Sequence, residues 1–280
     1  MSAVCRRSVS VNPEIADRKI VSRIRAAFHH FYLLCSIFIS GWWIELNTKD
    51  PILKRQRKTR NTNRHCKGFL KAFNITLTIN HPERLLALRD SAYLLVSNHL
   101  SYIDIILLAS IEKLVFITSI EMGNDPFLGK ATRLGGSLYT DRKKPVSLKN
   151  EIQNFSDAIA QGFKVVLFPE GTSTNGSTVQ DFKRSLFQIA LNVNCPVLPV
   201  CIKYKTIDGQ AINENNRDLV CWYGDMTFGP HFWALLGRKI EVEITILESI
   251  VQPTSKTRTE LSEAVYTQIH DCYHKTANKV

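Results

Sequence analysis

LFPEGTSTNGST, residues 167–178, holds the junction on which the fold turns: the apolar run VVLF ends, and a proline, a glutamate and a glycine follow at once. Two glycine-rich readings fail there. A phosphate-binding P-loop has its four-residue gap between Gly171 and Gly176 and a hydroxyl at Thr178, but Ser177 stands where the phosphate-gripping lysine belongs. A nucleophile elbow would use Gly171 and Ser173, yet Asn175 holds its second glycine position. What remains is a charged turn leaving the carboxyl end of a short strand, the place where α/β proteins favour their sites.

The pattern outward from that turn is regular. NITLTI, YLLVS, VFITSI, VVLF, PVLPVCIKY and IEVEITIL read as strands by their β-branched content and length. Between Ser147, read as an N-cap, and Gln161, the residues Leu148, Ile152, Phe155 and Ile159 share one helical face. Phe182 to Asn194 reads as a second helix. Alternation of this kind predicts an α/β domain over residues 73–280, with a mixed, largely buried sheet flanked by helices and a C-terminal helix.

Residues 1–72 have another character. The first 71 positions carry 15 of the 36 Lys and Arg but only 4 of the 25 Asp and Glu, so the whole net charge of +11 lies in this quarter. A nucleic-acid binder would carry that charge on its folded reading surface, so no nucleic-acid partner is expected. The same quarter holds the apolar run AAFHHFYLLCSIFISGWWIEL, preceded by Arg18, Lys19, Arg23 and Arg25 and followed by KRQRKTR. Such flanks suit anionic lipid headgroups, and Trp42 and Trp43 suit a membrane interface. The uninterrupted part, Phe31 to Ile44, is shorter than the ~20 residues of a comfortable span. A helix embedded in or lying on the bilayer is therefore expected in preference to a clean crossing, and a helix buried in a soluble core is the alternative.

The seven cysteines are scattered without a C-x-x-C pair, which suggests neither a disulfide framework nor a zinc site. His29-His30 and His65-Cys66 read as solvated or lipid-facing pairs, and the aromatic region around Trp233, with His231 and Phe232, reads as core.

Two strand-end loops carry the unusual residues. NHLSYID places His99 five positions before Asp104. A histidine can take a proton from a hydroxyl, and a carboxylate on its other nitrogen fixes the tautomer. The alternative is a strand-end histidine followed by a helix-capping aspartate. In the second loop, Glu170 has two uses open to it: accepting hydrogen bonds from a polyol substrate or from the neighbouring loop. Gly171 lets a ligand approach the backbone. Between the loops, GGSLYTDRKKP ends a short strand at Arg142, whose guanidinium suits a phosphate; a solvated basic turn is the alternative.

NHLSYID, GSLYTDR, FPEGT and PVLPV, in that order and at these separations, resemble the four motifs of the glycerolipid acyltransferase family that includes 1-acylglycerol-3-phosphate acyltransferases. The resemblance covers about residues 70–250. It implies that His99 is the general base and Asp104 its orienting partner. Arg142 would hold the phosphate of the acceptor, Glu170, Gly171 and Thr172 would line the acceptor site, and Pro199 would help to shape the acyl-donor site. A deprotonated hydroxyl of the acceptor, a lysophospholipid such as lysophosphatidic acid, would attack the thioester of acyl-CoA or acyl carrier protein, with no metal and no bound cofactor. The resemblance also implies a membrane-associated protein at the cytoplasmic face of the bacterial inner membrane.

One departure bears on the acceptor. Family members often carry an arginine just after EGT, whereas Ser173 and Thr174 stand here; that contact is either missing or supplied by Lys183 or Arg184. FPEGTSTNG with CWYGDMTFGPHFWALL is similar to a bacterial branch in which some members acylate lyso-ornithine lipid, a phosphate-free acceptor. Retention of Arg142 keeps lysophosphatidic acid ahead. A catalytically silent lipid-binding protein and a hydrolase using the same histidine with water are the alternatives from other classes.

Overall fold

The computed structural model describes residues 13–141 and 147–275, with side chains from Arg23 onward. Arg142 lies outside the described residues, as do Lys143 and Lys144.

Two long helices come first, α1 (Pro13–Asn47) and α2 (Pro51–Ala72). The turn between them follows from Asp50-Pro51: the aspartate side chain accepts from Leu53 N at 2.6 Å and the proline occupies the first turn. α1 runs straight through His29 and His30, so Arg23–Asn47 is long and apolar enough to cross a membrane by length and composition. The basic KRQRKTR stretch, expected as a flank, is instead part of α2.

The sheet follows: β1 (Ile75–Asn80), a short helix α3 (Pro82–Ala87), β2 (Leu94–Ser97), α4 (Ile103–Ile111), β3 (Leu114–Ser119), α5 (Ile120–Asn124), α6 (Leu128–Gly135) and β4 (Leu138–Thr140). Next come α7 (Leu148–Ala160), β5 (Lys164–Leu167), α8 (Gln188–Val193), β6 (Val197–Ile207), β7 (Gln210–Ala211), α9 (Phe228–Leu235), β8 (Ile240–Ile246) and α10 (Arg258–His274). Strand order is β1-β8-β6-β2-β5-β3-β4, with β7 paired to β6. All pairs are parallel except β6 with β8 and with β7. The expected mixed sheet flanked by helices is thus present.

Successive residues of a strand face opposite sides, and β2 shows the consequence. Leu95 joins α4, α2 and α1 through Leu107, Phe69 and Leu33, whereas Leu94 and Val96 join α7, α8 and α10 through Phe155, Ile189 and Val265. α1 and α2 therefore share a core with the sheet. Gly68 permits the close approach of α1, since a Cβ there would lie 3.0 Å from Leu33.

Several expectations are corrected. His30 is buried, with its ring 4.2 Å from that of Phe73, and His65 is buried with Nε2 2.9 Å from Ser36 Oγ, tying α2 to α1. Only His29 of these is exposed. Trp233 is 55% exposed, although His231 beside it is buried. The helix expected from Phe182 starts at Ser185, because Lys183 N donates to Pro169 O at 2.8 Å and draws the preceding segment onto the 169–171 turn.

Candidate active site

β2 and β5 are parallel neighbours, with Leu94 opposite Val165 and Val96 opposite Leu167. Their carboxyl ends therefore deliver NHLSYID and FPEGT side by side. The loops are joined by main-chain and side-chain bonds: Glu170 Oε1 accepts His99 N at 2.7 Å, and Thr174 N donates to His99 O at 3.0 Å.

His99 and Asp104 form a pair. His99 Nδ1 lies 2.9 Å from Asp104 Oδ2. A carboxylate there accepts, so Nδ1 carries the proton and the neutral ring keeps its lone pair on Nε2. The imidazole also stacks on Phe168, with ring centroids 4.0 Å apart and planes 16° from parallel. Asp104 is fully buried at the start of α4, and its charge is held by four donors. Leu100 N (2.6 Å) and Ser101 N (2.9 Å) join His99 on Oδ2, and Tyr204 OH reaches Oδ1 at 2.8 Å. Buried charges persist when they are hydrogen-bonded in this way.

His99 faces a cavity of about 1010 Å³. Leu34 and Phe38 of α1 and Phe69 of α2 wall it on one side, and Phe116, Tyr102 and Trp222 on another, so the chamber is mostly apolar and reaches beneath the N-terminal helices. Such a chamber suits an alkyl chain. Tyr102 is held in that wall by His231: His231 Nε2 donates to Cys221 O at 3.1 Å, which leaves Nδ1 to accept from Tyr102 OH at 3.2 Å.

Gly171, Thr172 and Lys183 also line the cavity. Gly171 has φ of +78°, and a Cβ there would stand 2.5 Å from Lys183 Nζ, so the glycine admits the ammonium to the turn. Glu170 does not line the cavity. It is buried, and its second oxygen accepts Gln180 N at 2.8 Å, so of its two open uses the structure displays the bond to the neighbouring loop. Burial pushes its carboxyl up to about 7 despite the two amide donors. Pro199 is likewise buried in β6, opposite Val96, and is not on the cavity wall.

Sequence reasoning missed Tyr204 and Asn98. Asn98 accepts Ile202 N at 2.8 Å and donates to Ile202 O at 2.9 Å, replacing a backbone pair. Neither residue has a local signal, because each partner lies about a hundred positions away in the chain.

A histidine whose lone pair faces an apolar chamber can take a proton from a hydroxyl brought in with its lipid tail. Residues 76–203 match the family described as Acyltransferase. The chain is 30% identical over 185 residues to the lyso-ornithine lipid O-acyltransferase of Rhizobium meliloti (strain 1021), a match covering 63% of each chain. It is 25% identical over 173 residues to the 1-acyl-sn-glycerol-3-phosphate acyltransferase of Neisseria gonorrhoeae, covering 62% of this chain and 64% of that one. The crystal structure of the 1-acyl-sn-glycerophosphate acyltransferase PlsC from Thermotoga maritima has a TM-score of 0.62 at 19% identity, covering 93% of this chain and all of that one, and so shares the fold.

Proposed function

The chain belongs to the glycerolipid acyltransferase family, and from that premise we propose that it moves an acyl group from a thioester, acyl-CoA or acyl carrier protein, to the free hydroxyl of a lysolipid. The observation that carries this reading is the His99–Asp104 pair at 2.9 Å, with His99 on the wall of an apolar cavity. His99 Nε2 takes the hydroxyl proton as the oxygen attacks the thioester carbonyl. The tetrahedral intermediate collapses with departure of the thiolate, which takes that proton from the His99 imidazolium. Asp104 stabilises the imidazolium in between.

Two acceptors fit this reaction. Lysophosphatidic acid is favoured by the ordered motif set with Arg142. Lyso-ornithine lipid is favoured by a more specific observation: after EGT, the hydroxyl and amide of Thr174 both turn inward to His99 O, so the only cation on the described part of the turn is Lys183. Relatives 29–32% identical to this chain bear the lyso-ornithine lipid O-acyltransferase name. The same reading places the chain on a membrane, at the cytoplasmic face, through α1, where Phe28, Phe31, Ile39 and Trp42 are each more than 60% exposed.

The test is a competition. Purified protein is given acyl-CoA or acyl carrier protein with both acceptors in one vesicle preparation, and products are read by mass spectrometry. Phosphatidic acid or ornithine lipid as main product assigns the acceptor. Free fatty acid alone would replace acyl transfer with hydrolysis, and no turnover with any donor would leave a lipid-binding protein.

A further inference from the structure

We propose that Tyr204 is a positioning residue for this reaction: its hydroxyl, carried on the face of β6 that also bears Val200 and Ile202, fixes the Asp104 carboxylate and, through it, the imidazole of His99. The inference rests on the reading of His99 as the general base.

Three of the four donors to Asp104 come from its own loop and crowd onto Oδ2. Among the described residues, Tyr204 is the donor recorded on Oδ1, at 2.8 Å. Without it, a fully buried carboxylate oxygen is left without a partner, which the protein interior tolerates poorly. The carboxylate would then be free to turn about its Cβ–Cγ bond, and the three loop donors would compete for either oxygen. With Tyr204 in place, Oδ2 is held toward His99. Burial also holds the Tyr204 hydroxyl far above the ordinary tyrosine range, so it remains a donor across the working pH.

The backbone shows how a strand residue comes to face a loop carboxylate. β6 and β8 pair in register through Lys203 opposite Glu243 and Tyr204 opposite Val242; the register then slips, and Thr206 stands opposite Glu241. Lys205 is the extra residue, directly after Tyr204. The slip falls after Tyr204, so regular alternation with Val200 and Ile202 already turns its side chain to the face that meets α4. Two positions upstream, the Asn98 side chain clamps both backbone groups of Ile202. The two clamps, from 98 to 202 and from 104 to 204, bracket His99. A chance acceptor for a buried tyrosine would require neither.

Loss of the hydroxyl should be visible in the pH profile. A carboxylate deprived of a donor holds the imidazolium proton more tightly, so the neutral, active histidine is reached at higher pH. Other titratable groups face this cluster: Glu170 from the second loop, Tyr102 from the first, Cys221 from the segment after β7, and Tyr273 from α10. All remain in every protein compared, so a difference between the wild-type and Tyr204→Phe profiles belongs to Tyr204.

The experiment measures kcat and KM against pH for the full chain in mixed micelles, with acyl-CoA and the lysolipid that gives product. Wild type, Tyr204→Phe and Val242→Ala are compared, the last being a buried neighbour whose truncation weakens the same strand pair without touching the hydroxyl. Tyr204→Phe is expected to lower kcat about tenfold, leave each KM within about twofold, and raise the acid limb by about half a pH unit. Val242→Ala is expected to lose stability and keep the acid limb. A wild-type acid limb and kcat in Tyr204→Phe would overturn the proposal, as would an equal displacement in Val242→Ala. If Tyr204→Phe does not fold, site-specific 3-fluorotyrosine at 204, a stronger donor, should lower the acid limb, and an unmoved limb is then the overturning result. His99→Ala separates the two levels: activity there removes the general-base reading itself, whereas inactivity there with an unmoved Tyr204→Phe profile removes only the role of Tyr204.

Discussion

Glu170 holds the main chain of His99: its Oε1 accepts the His99 N–H at 2.7 Å across 71 positions of sequence. Its other oxygen accepts Gln180 N, so one carboxylate ties together the two loops that meet at the cavity.

Burial of that carboxyl has a pH signature. An acid whose folded value is raised from 4.5 to about 7 binds its proton more tightly when folded, so its contribution is fully present below about 4.5 and is lost as pH rises through 7. Thermal unfolding should show a decline across that window, on the order of 3 kcal/mol from this group. Glu170→Gln should flatten it. The amide has one oxygen for two N–H donors, so turnover should also fall. A decline that persists unchanged in the variant would assign it to another group.

Asp104→Asn should lower kcat by about 10²–10⁴ with KM little changed. The amide oxygen would keep the place of Oδ2, where Leu100 N and Ser101 N also donate, but without the negative charge the side chain no longer stabilises the imidazolium. Steady-state kinetics on folded protein, checked by circular dichroism, decides it; a variant keeping more than about a tenth of the wild-type rate would sink the stabilising role.

Lys183→Ala should raise the KM for an anionic acceptor about tenfold and leave kcat nearly unchanged, because an ammonium at the Gly171 turn would bind a headgroup equally in ground and transition states. Lys183→Arg should restore much of the affinity. Equal KM values across the series would take Lys183 out of the acceptor site.

Replacing Phe28, Phe31 and Trp42 together by Ser should lower vesicle co-sedimentation at least about tenfold while the fold is kept, since these side chains are exposed and each apolar contact is worth ~1.5–3 kcal/mol. Deleting residues 1–72 is a poorer test, because Leu33, Phe69 and Ala72 belong to the core under the sheet. Undiminished vesicle binding by the triple variant would move the membrane contact elsewhere.

Much of this architecture was legible in local pattern. VVLF and YLLVS announce buried parallel strands, and the helical spacing of Leu148, Ile152, Phe155 and Ile159 matches α7. Environments were less legible than elements. His30, His65 and Cys66 sit in a polar or lipid-like context along the chain, yet α1 and α2 turn them inward. Trp233 went the other way, because the short α9 buries His231 and leaves its neighbour outside.

The sequence alone determined the α/β alternation, the basic and apolar N-terminal quarter, and the spacing of His99 and Asp104, all of which depend on residues within a few positions of one another. Only the tertiary structure decided what those residues touch. Glu170 turns to His99 rather than to the cavity, α1 and α2 wall that cavity, and Tyr204 completes Asp104 from a strand a hundred residues on. Such contacts are set by strand order, which brings distant segments side by side and which no local spacing encodes.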